Sequence, residues 1–246
     1  VIGVAFSLAG TLGSENGLYG AAIERLVSDL YAERSEAPDG RLIRAIVQTL
    51  PASIRRPDGG GLDLLCRLFP HDKAEASLAA RFRFIARDLV ERHFQPHGDA
   101  VELLRALREL NIPVAFLSDG WSAIEHRKAE LLDFSGPLIV TEQLECCPDG
   151  RSLTAFAAVA GALQLPSDRI WFVGRDPRRD IVPAHAAGFQ TVWLNRSGRA
   201  YPSGLPRPNH IIGRLERLLP IIGGEYMRAV MQLTSLIEPP ARRTGS

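Results

Sequence analysis

VIGVAFSLAGTL, residues 1–12, decides how this chain is read. VIGVAF is an unbroken apolar run, the pattern of a strand buried on both faces of a parallel sheet, and Gly10-Thr11-Leu12 breaks it as a strand feeding a loop would. From Gly98 onward, helical and strand patterns alternate. DAVELLRALREL, Trp121 to Leu132, LTAFAAVAGALQL and PAHAAG read as helices, and IPVAFL, PLIVT, RIWFVG and QTVWL as strands. Such alternation predicts right-handed crossovers and a parallel sheet. Working groups in these sheets sit on loops at the carboxyl ends of strands, so the loops after VIGVAF, IPVAFL and RIWFVG are expected to meet.

The segment from about Ser14 to His97 interrupts this pattern. Apolar residues in GLYGAAIERLVSDLYAERSE and LAARFRFIARDLVERHF recur at helical spacing, with SIRRPDGGGLDLL as a turn-rich break between them. The predicted architecture is a Rossmann-like α/β core, a parallel sheet flanked by helices, with a helical insertion. The core comprises residues 1–13 and 98–222, the insertion 14–97, and residues 223–246 form an amphipathic helix and a disordered tail.

At 246 residues, with 46% apolar and 23% charged residues, the chain can bury a full core. The formal net charge is +1 and basic residues are scattered, which argues against nucleic acid or an anionic membrane as partner. Cys66, Cys146 and Cys147 have neither CxxC spacing nor histidines placed as zinc ligands, so a reducing, cytoplasmic setting is expected. The apolar start lacks the basic flank of a signal peptide, and no run approaches the roughly 20 apolar residues of a membrane span.

The strand followed by Ser7-Leu8-Ala9-Gly10-Thr11-Leu12 resembles the first motif of the haloacid dehalogenase superfamily, a strand and then Asp-x-Asp-Gly-Thr-Leu. In that pattern the first aspartate is the nucleophile and the second the general acid/base; Ser7 and Ala9 occupy those places here. IPVAFLSDG resembles the second motif, with Ser118 as its phosphoryl-binding hydroxyl and Asp119 following it. WFVGRDPRRDIVPAHAAGFQTVWL keeps the frame of the fourth motif, but Arg175 replaces its first acidic residue. Asp180 retains the later one, and Asp176 is displaced by one position. Cys147-Pro148 resembles the Lys-Pro of the third motif with the lysine changed, and Arg151 could supply the charge after a small shift. The helical insertion matches the position of the family's type-one cap.

The resemblance implies a chemistry that these residues undercut. A family phosphatase needs a carboxylate to attack phosphorus, because the acyl phosphate formed is labile to water. It also needs carboxylates to hold magnesium. Changes at Ser7, Ala9, Cys147 and Arg175 remove both, so the expectation is a non-catalytic binding, scaffold or regulatory protein with no cofactor and no metal. The alternative is a divergent hydrolase, phosphatase-like or dehalogenase-like, with rearranged residues.

The vacated pocket shifts toward positive charge. It is read either as an anion site, for a small anion or phosphorylated ligand on Ser118, Arg175 and the backbone N–H groups of Gly10 and Thr11, or as a pocket filled by Arg175 pairing with Asp119, Asp176 or Asp180. Trp121 is open between a stacking platform and core packing, and His185 is expected to pack. The terminal helix, carrying Tyr226, Met227, Met231, Leu233 and Leu236, covers its apolar stripe on its own core, on a protein partner or by self-association.

Overall fold

The computed structural model describes residues 2–34, 39–56, 60–69, 75–144 and 152–224. β1 (Gly3–Ser7) lies at the centre of a six-stranded sheet and is wholly buried. The other strands are β4 (Val114–Ser118), β5 (Leu138–Val140), β6 (Ile170–Gly174), β7 (Gln190–Leu194) and β8 (His210–Ile212), in the order β5-β4-β1-β6-β7-β8, with every pairing parallel. Val4 pairs with Val114 on one side of β1 and with Trp171 on the other. Strand order reverses around β1, which opens a crevice where the chain leaves β1, β4 and β6.

The period-two geometry of strands divides their side chains between two cores. Val4, Phe6, Phe116, Trp171 and Val173 join the larger core, with helices α6 (Gly98–Glu109) and α7 (Ser122–Leu131). Ala5, Ala115, Leu117, Ile170 and Phe172 face the smaller one, closed by Phe156 and Val159 of α8 (Leu153–Leu163), Ala184 of α9 (Val182–Ala186), and Phe189. The core helices and strands thus fall where the sequence places them, within a few residues.

Between β2 (Gly13–Glu15) and β3 (Phe94–Pro96) lies the helical insertion: α1 (Leu18–Glu33), α2 (Gly40–Thr49), α3 (Pro51–Ile54), α4 (Gly61–Leu68) and α5 (Glu75–His93). Leu18, Ala22, Ile23, Leu26, Val27 and Leu30 form the buried stripe of α1, and Leu78, Phe82, Ala86 and Val90 that of α5. These two helices pack together, and α5 also packs on α7, so the insertion shares one core with the face of the sheet.

The ribbon at its base is absent from the sequence reading. Gly13, Ser14 and Glu15 pair antiparallel with Pro96, Gln95 and Phe94. A Cβ on Gly13 would lie 2.4 Å from the Phe94 ring, so the two crossings approach closely because the first residue is glycine. After β8, residues 218–224 are helical and bury Leu218 and Ile222. The terminal segment with Tyr226, Met227, Met231, Leu233 and Leu236 lies outside the described residues, as do Cys146, Cys147 and Arg151. Among the described residues no helix is long and apolar enough to cross a membrane.

Candidate functional site

Ser7 ends β1 almost completely buried, with both neighbours of its hydroxyl internal. Its Oγ lies 2.6 Å from Thr11 Oγ1 and donates to Asp180 Oδ2 at 3.2 Å. The same Asp180 oxygen accepts the backbone N–H of Arg175 at 2.8 Å and of Asp176 at 2.9 Å. Asp180 is therefore a clasp that ties the loop after β6 to the end of β1. The clasp depends on Gly174, where a Cβ would fall 2.3 Å from Asp180 Cβ. Asp176 caps the next turn, its Oδ1 accepting from Arg178 N at 2.9 Å and Arg179 N at 3.0 Å.

Arg175 is exposed, and its carbonyl accepts from Trp193 Nε1 at 2.9 Å. Its side chain lies across Gly10, where a Cβ would meet Nε at 2.5 Å and φ is +75°. Among the described residues the Arg175 guanidinium forms no ion pair, so of the two readings of the vacated pocket the pairing with Asp119, Asp176 or Asp180 is not seen; Asp119 pairs with Arg179. Ser7, Ala9, Asp119, Arg175, Asp176, Arg179 and Asp180 line a cavity of about 60 Å³ together with Arg55 and Arg56, which arrive from the insertion after α3.

Several residues named from the sequence do not reach this cavity with free donors. Gly10 N bonds Gly13 O at 2.7 Å and Thr11 N bonds Leu8 O at 3.3 Å, so both N–H groups serve the loop's own turn. Ser118 is buried and donates to Glu125 Oε2 at 2.7 Å, directing its hydroxyl into α7. Trp121 is buried as well; its Nε1 donates to Ile54 O at 2.7 Å and its ring stands edge-on to Phe82. It joins core to insertion and is no platform over the pocket. His185, expected to pack, is exposed.

The sequence reading missed a buried ionic chain that runs from beneath Ser118 to the pocket. Lys128 has no exposure; it bonds Glu125 Oε1 at 2.6 Å and pairs with Glu15 on β2. Glu15 also pairs with Arg55 at 2.6 Å. Tyr19 lies under both cations, 5.7 Å from Lys128 Nζ and 6.0 Å from Arg55 Cζ, and its buried hydroxyl has no hydrogen-bond partner among the described residues.

Burial opposes charge on Glu15, but the fields of Lys128 and Arg55 outweigh it and hold the carboxyl below its ordinary range. Burial likewise opposes charge on Lys128; Glu125, Tyr19 and Glu15 overcome it and raise its pKa. The readable signal was the spacing of Glu125 and Lys128, which puts both on one face of a helix.

Among the described residues no three His, Cys, Asp or Glu side chains converge to hold a metal ion. The donors around Ser7 also fit magnesium poorly. An arginine stands among them, and the Asp180 oxygen facing Ser7 is already bound by N–H groups.

The crevice beyond the carboxyl ends of a parallel sheet, with an insertion leaning over it, belongs to the α/β class of Rossmann-like folds. More narrowly, the fold is that of the haloacid dehalogenase superfamily. It matches the crystal structure of a 2-haloacid dehalogenase from Pseudomonas syringae pv. Tomato DC3000 with a TM-score of 0.67 and 19% identity, over 92% of this chain and 100% of the other. A HAD phosphatase from Thermococcus onnurineus matches with a TM-score of 0.63 and 19% identity, over 91% of this chain and 99% of that one. In sequence, the chain is 26% identical over 130 residues to an (S)-2-haloacid dehalogenase of Pseudomonas fluorescens. That match spans 51% of this chain and 56% of the relative, so about half of each. No family profile matches the chain.

Proposed function

We propose that this is a haloacid dehalogenase-like protein that has lost the family's aspartate nucleophile and its magnesium site, and that it works as a non-catalytic binding, scaffold or regulatory protein. Residues 1–13 and 98–222 act as its core and 14–97 as a cap over the pocket. The observation that carries this reading is the state of Ser7. Its hydroxyl, at the place of the nucleophile, is buried and held between Thr11 and Asp180. A serine phosphate formed there would resist water far more than an acyl phosphate, and loss of a covalent nucleophile can cost on the order of a millionfold in rate. Ala9 supplies no acid or base, and Arg175 repels the cation that the family's phosphatases use.

A second reading, a divergent hydrolase, is favoured by one distance: Asp180 Oδ2 lies 3.2 Å from Ser7 Oγ, within reach of its proton. Against it, protonating that oxygen would set an O–H against the two backbone N–H donors that shape the loop after β6.

The deciding experiment compares the natural protein with a Ser7→Asp, Ala9→Asp, Arg175→Asp restoration. Both are assayed on an aryl phosphate with and without magnesium, and on a 2-haloacid with halide release as readout. The natural protein is expected to match the buffer blank on both substrates, and the restored one to gain magnesium-dependent phosphatase activity. Turnover or halide release by the natural protein overturns the non-catalytic reading.

A further inference from the structure

We propose that the apolar groove at the amino end of β1, at the far end of the sheet from Ser7, is the docking seat of this chain's own terminal segment, Glu225 to Glu238, which packs there as a helix and closes the larger core.

That core is open at one end of the sheet. Ile2, ahead of β1, and Ile112, ahead of β4, pack against it but are only half-buried, and Leu110, just after α6, is 59% exposed. Together with Leu219 and Ile222 of the helical residues 218–224 they line one groove. Ile112 also borders a second hollow with Val114 and Phe134, so the apolar trough continues past the start of β4.

The occupant follows from where the chain goes next. Leu219 and Ile222 are walls of the groove, and the sequence runs on from them through Gly223-Gly224 into the terminal segment. Tyr226, Val230, Leu233 and Ile237 recur at spacings of four, three and four, one stripe of a helix, with Arg228, Gln232 and Ser235 on the opposite side. Pro239-Pro240 ends such a helix. Isolated helices shorter than about 12–15 residues are marginal in water, so a helix from Glu225 to Glu238 needs an apolar surface to lie on. Glycine costs a helix about 1 kcal/mol relative to alanine, and glycine pairs are where helices bend. Among the described residues nothing lies within 4 Å of a Cβ placed on Gly223, so the described packing does not require glycine there. The pair is the point at which the chain turns its stripe into the groove. A segment tethered to the groove's own wall meets it at an effective concentration of about millimolar, which favours it over a second copy of the chain in micromolar solution.

The test is amide hydrogen exchange of the full chain, read by mass spectrometry over residues 226–237, with light scattering for oligomeric state. In the natural protein the segment is expected to exchange about tenfold or more slowly than in the denatured chain. Leu110→Glu places a charge in the groove at an exposed position and should speed exchange at 226–237 by about tenfold, with β1 and β6 still protected. Val230→Asp with Leu233→Asp tests the contact from the other side, and exchange at 108–112 and 218–224 should rise by about tenfold with β1 unchanged. Ile211→Glu, at an exposed apolar residue outside the groove, should alter nothing at 226–237. Exchange of the natural segment at the denatured rate, indifference of the segment to Leu110→Glu, or indifference of 108–112 and 218–224 to the paired substitution would each overturn the seat. Protection that grows with protein concentration alongside a dimer would give the groove to a second copy and overturn it as well.

Discussion

Lys128 is wholly buried between Glu125 and Glu15, and the carboxylates could not both stay buried and charged without it. Lys128→Met keeps the chain length but leaves Glu125 with only the Ser118 hydroxyl and Glu15 with only Arg55. Removing one partner of a buried ion pair costs about 3–5 kcal/mol. For a chain of this size that corresponds to a fall of about 10 °C in melting temperature, which a calorimetric scan would read. Gly174 is a second sensitive residue. Gly174→Ala drives a methyl carbon into Asp180 and must open the clasp on Ser7. The expected loss is about 1–3 kcal/mol by chemical denaturation; an unchanged midpoint would mean that the loop after β6 yields at no cost.

At the scale of elements, α7 joins the insertion to the sheet. Trp121 at its start bonds the carbonyl that ends α3, and Lys128 near its end reaches β2. Trp121→Phe keeps most of the apolar surface and removes one hydrogen bond, leaving Ile54 O buried without it. A loss of about 1–3 kcal/mol is expected, with faster amide exchange in the insertion than in β1 or β6. The central strands were readable because a strand buried on both faces is a continuous apolar run, as VAF and WFV are. The ribbon was not readable, since GSE and FQP show no alternation and their pairing depends on an insertion that brings their ends together. The same limit applies to the pocket. Ser7, Ala9, Asp119, Arg175, Asp176 and Asp180 follow the loops that the sheet places, whereas Arg55 and Arg56 come from a turn whose position is set by distant packing. Glu125 and Lys128 could be paired by spacing, but α7 has too weak an apolar pattern to reveal that both are buried.

The whole molecule should show its acid sensitivity at the junction of insertion and core. The Glu15 carboxyl is held below the ordinary value of 4.5, so folding is favoured by its charge at neutral pH. That contribution is complete above the ordinary value and is lost as pH falls through the lower, folded-state value. Denaturation midpoints measured from neutral pH to about pH 3 should fall on the acid side, and Glu15→Gln should flatten that decline. Equal slopes in the two proteins would rule out Glu15 as its source. Glu15 is also the last residue of β2, half of the ribbon through which the chain enters and leaves the insertion. Because the insertion shares its apolar core with the sheet and α5 packs on α7, this ribbon acts as a seam rather than a pivot, and Arg55, paired with Glu15 at its end, is stitched to the same line as the chain's entry into the insertion.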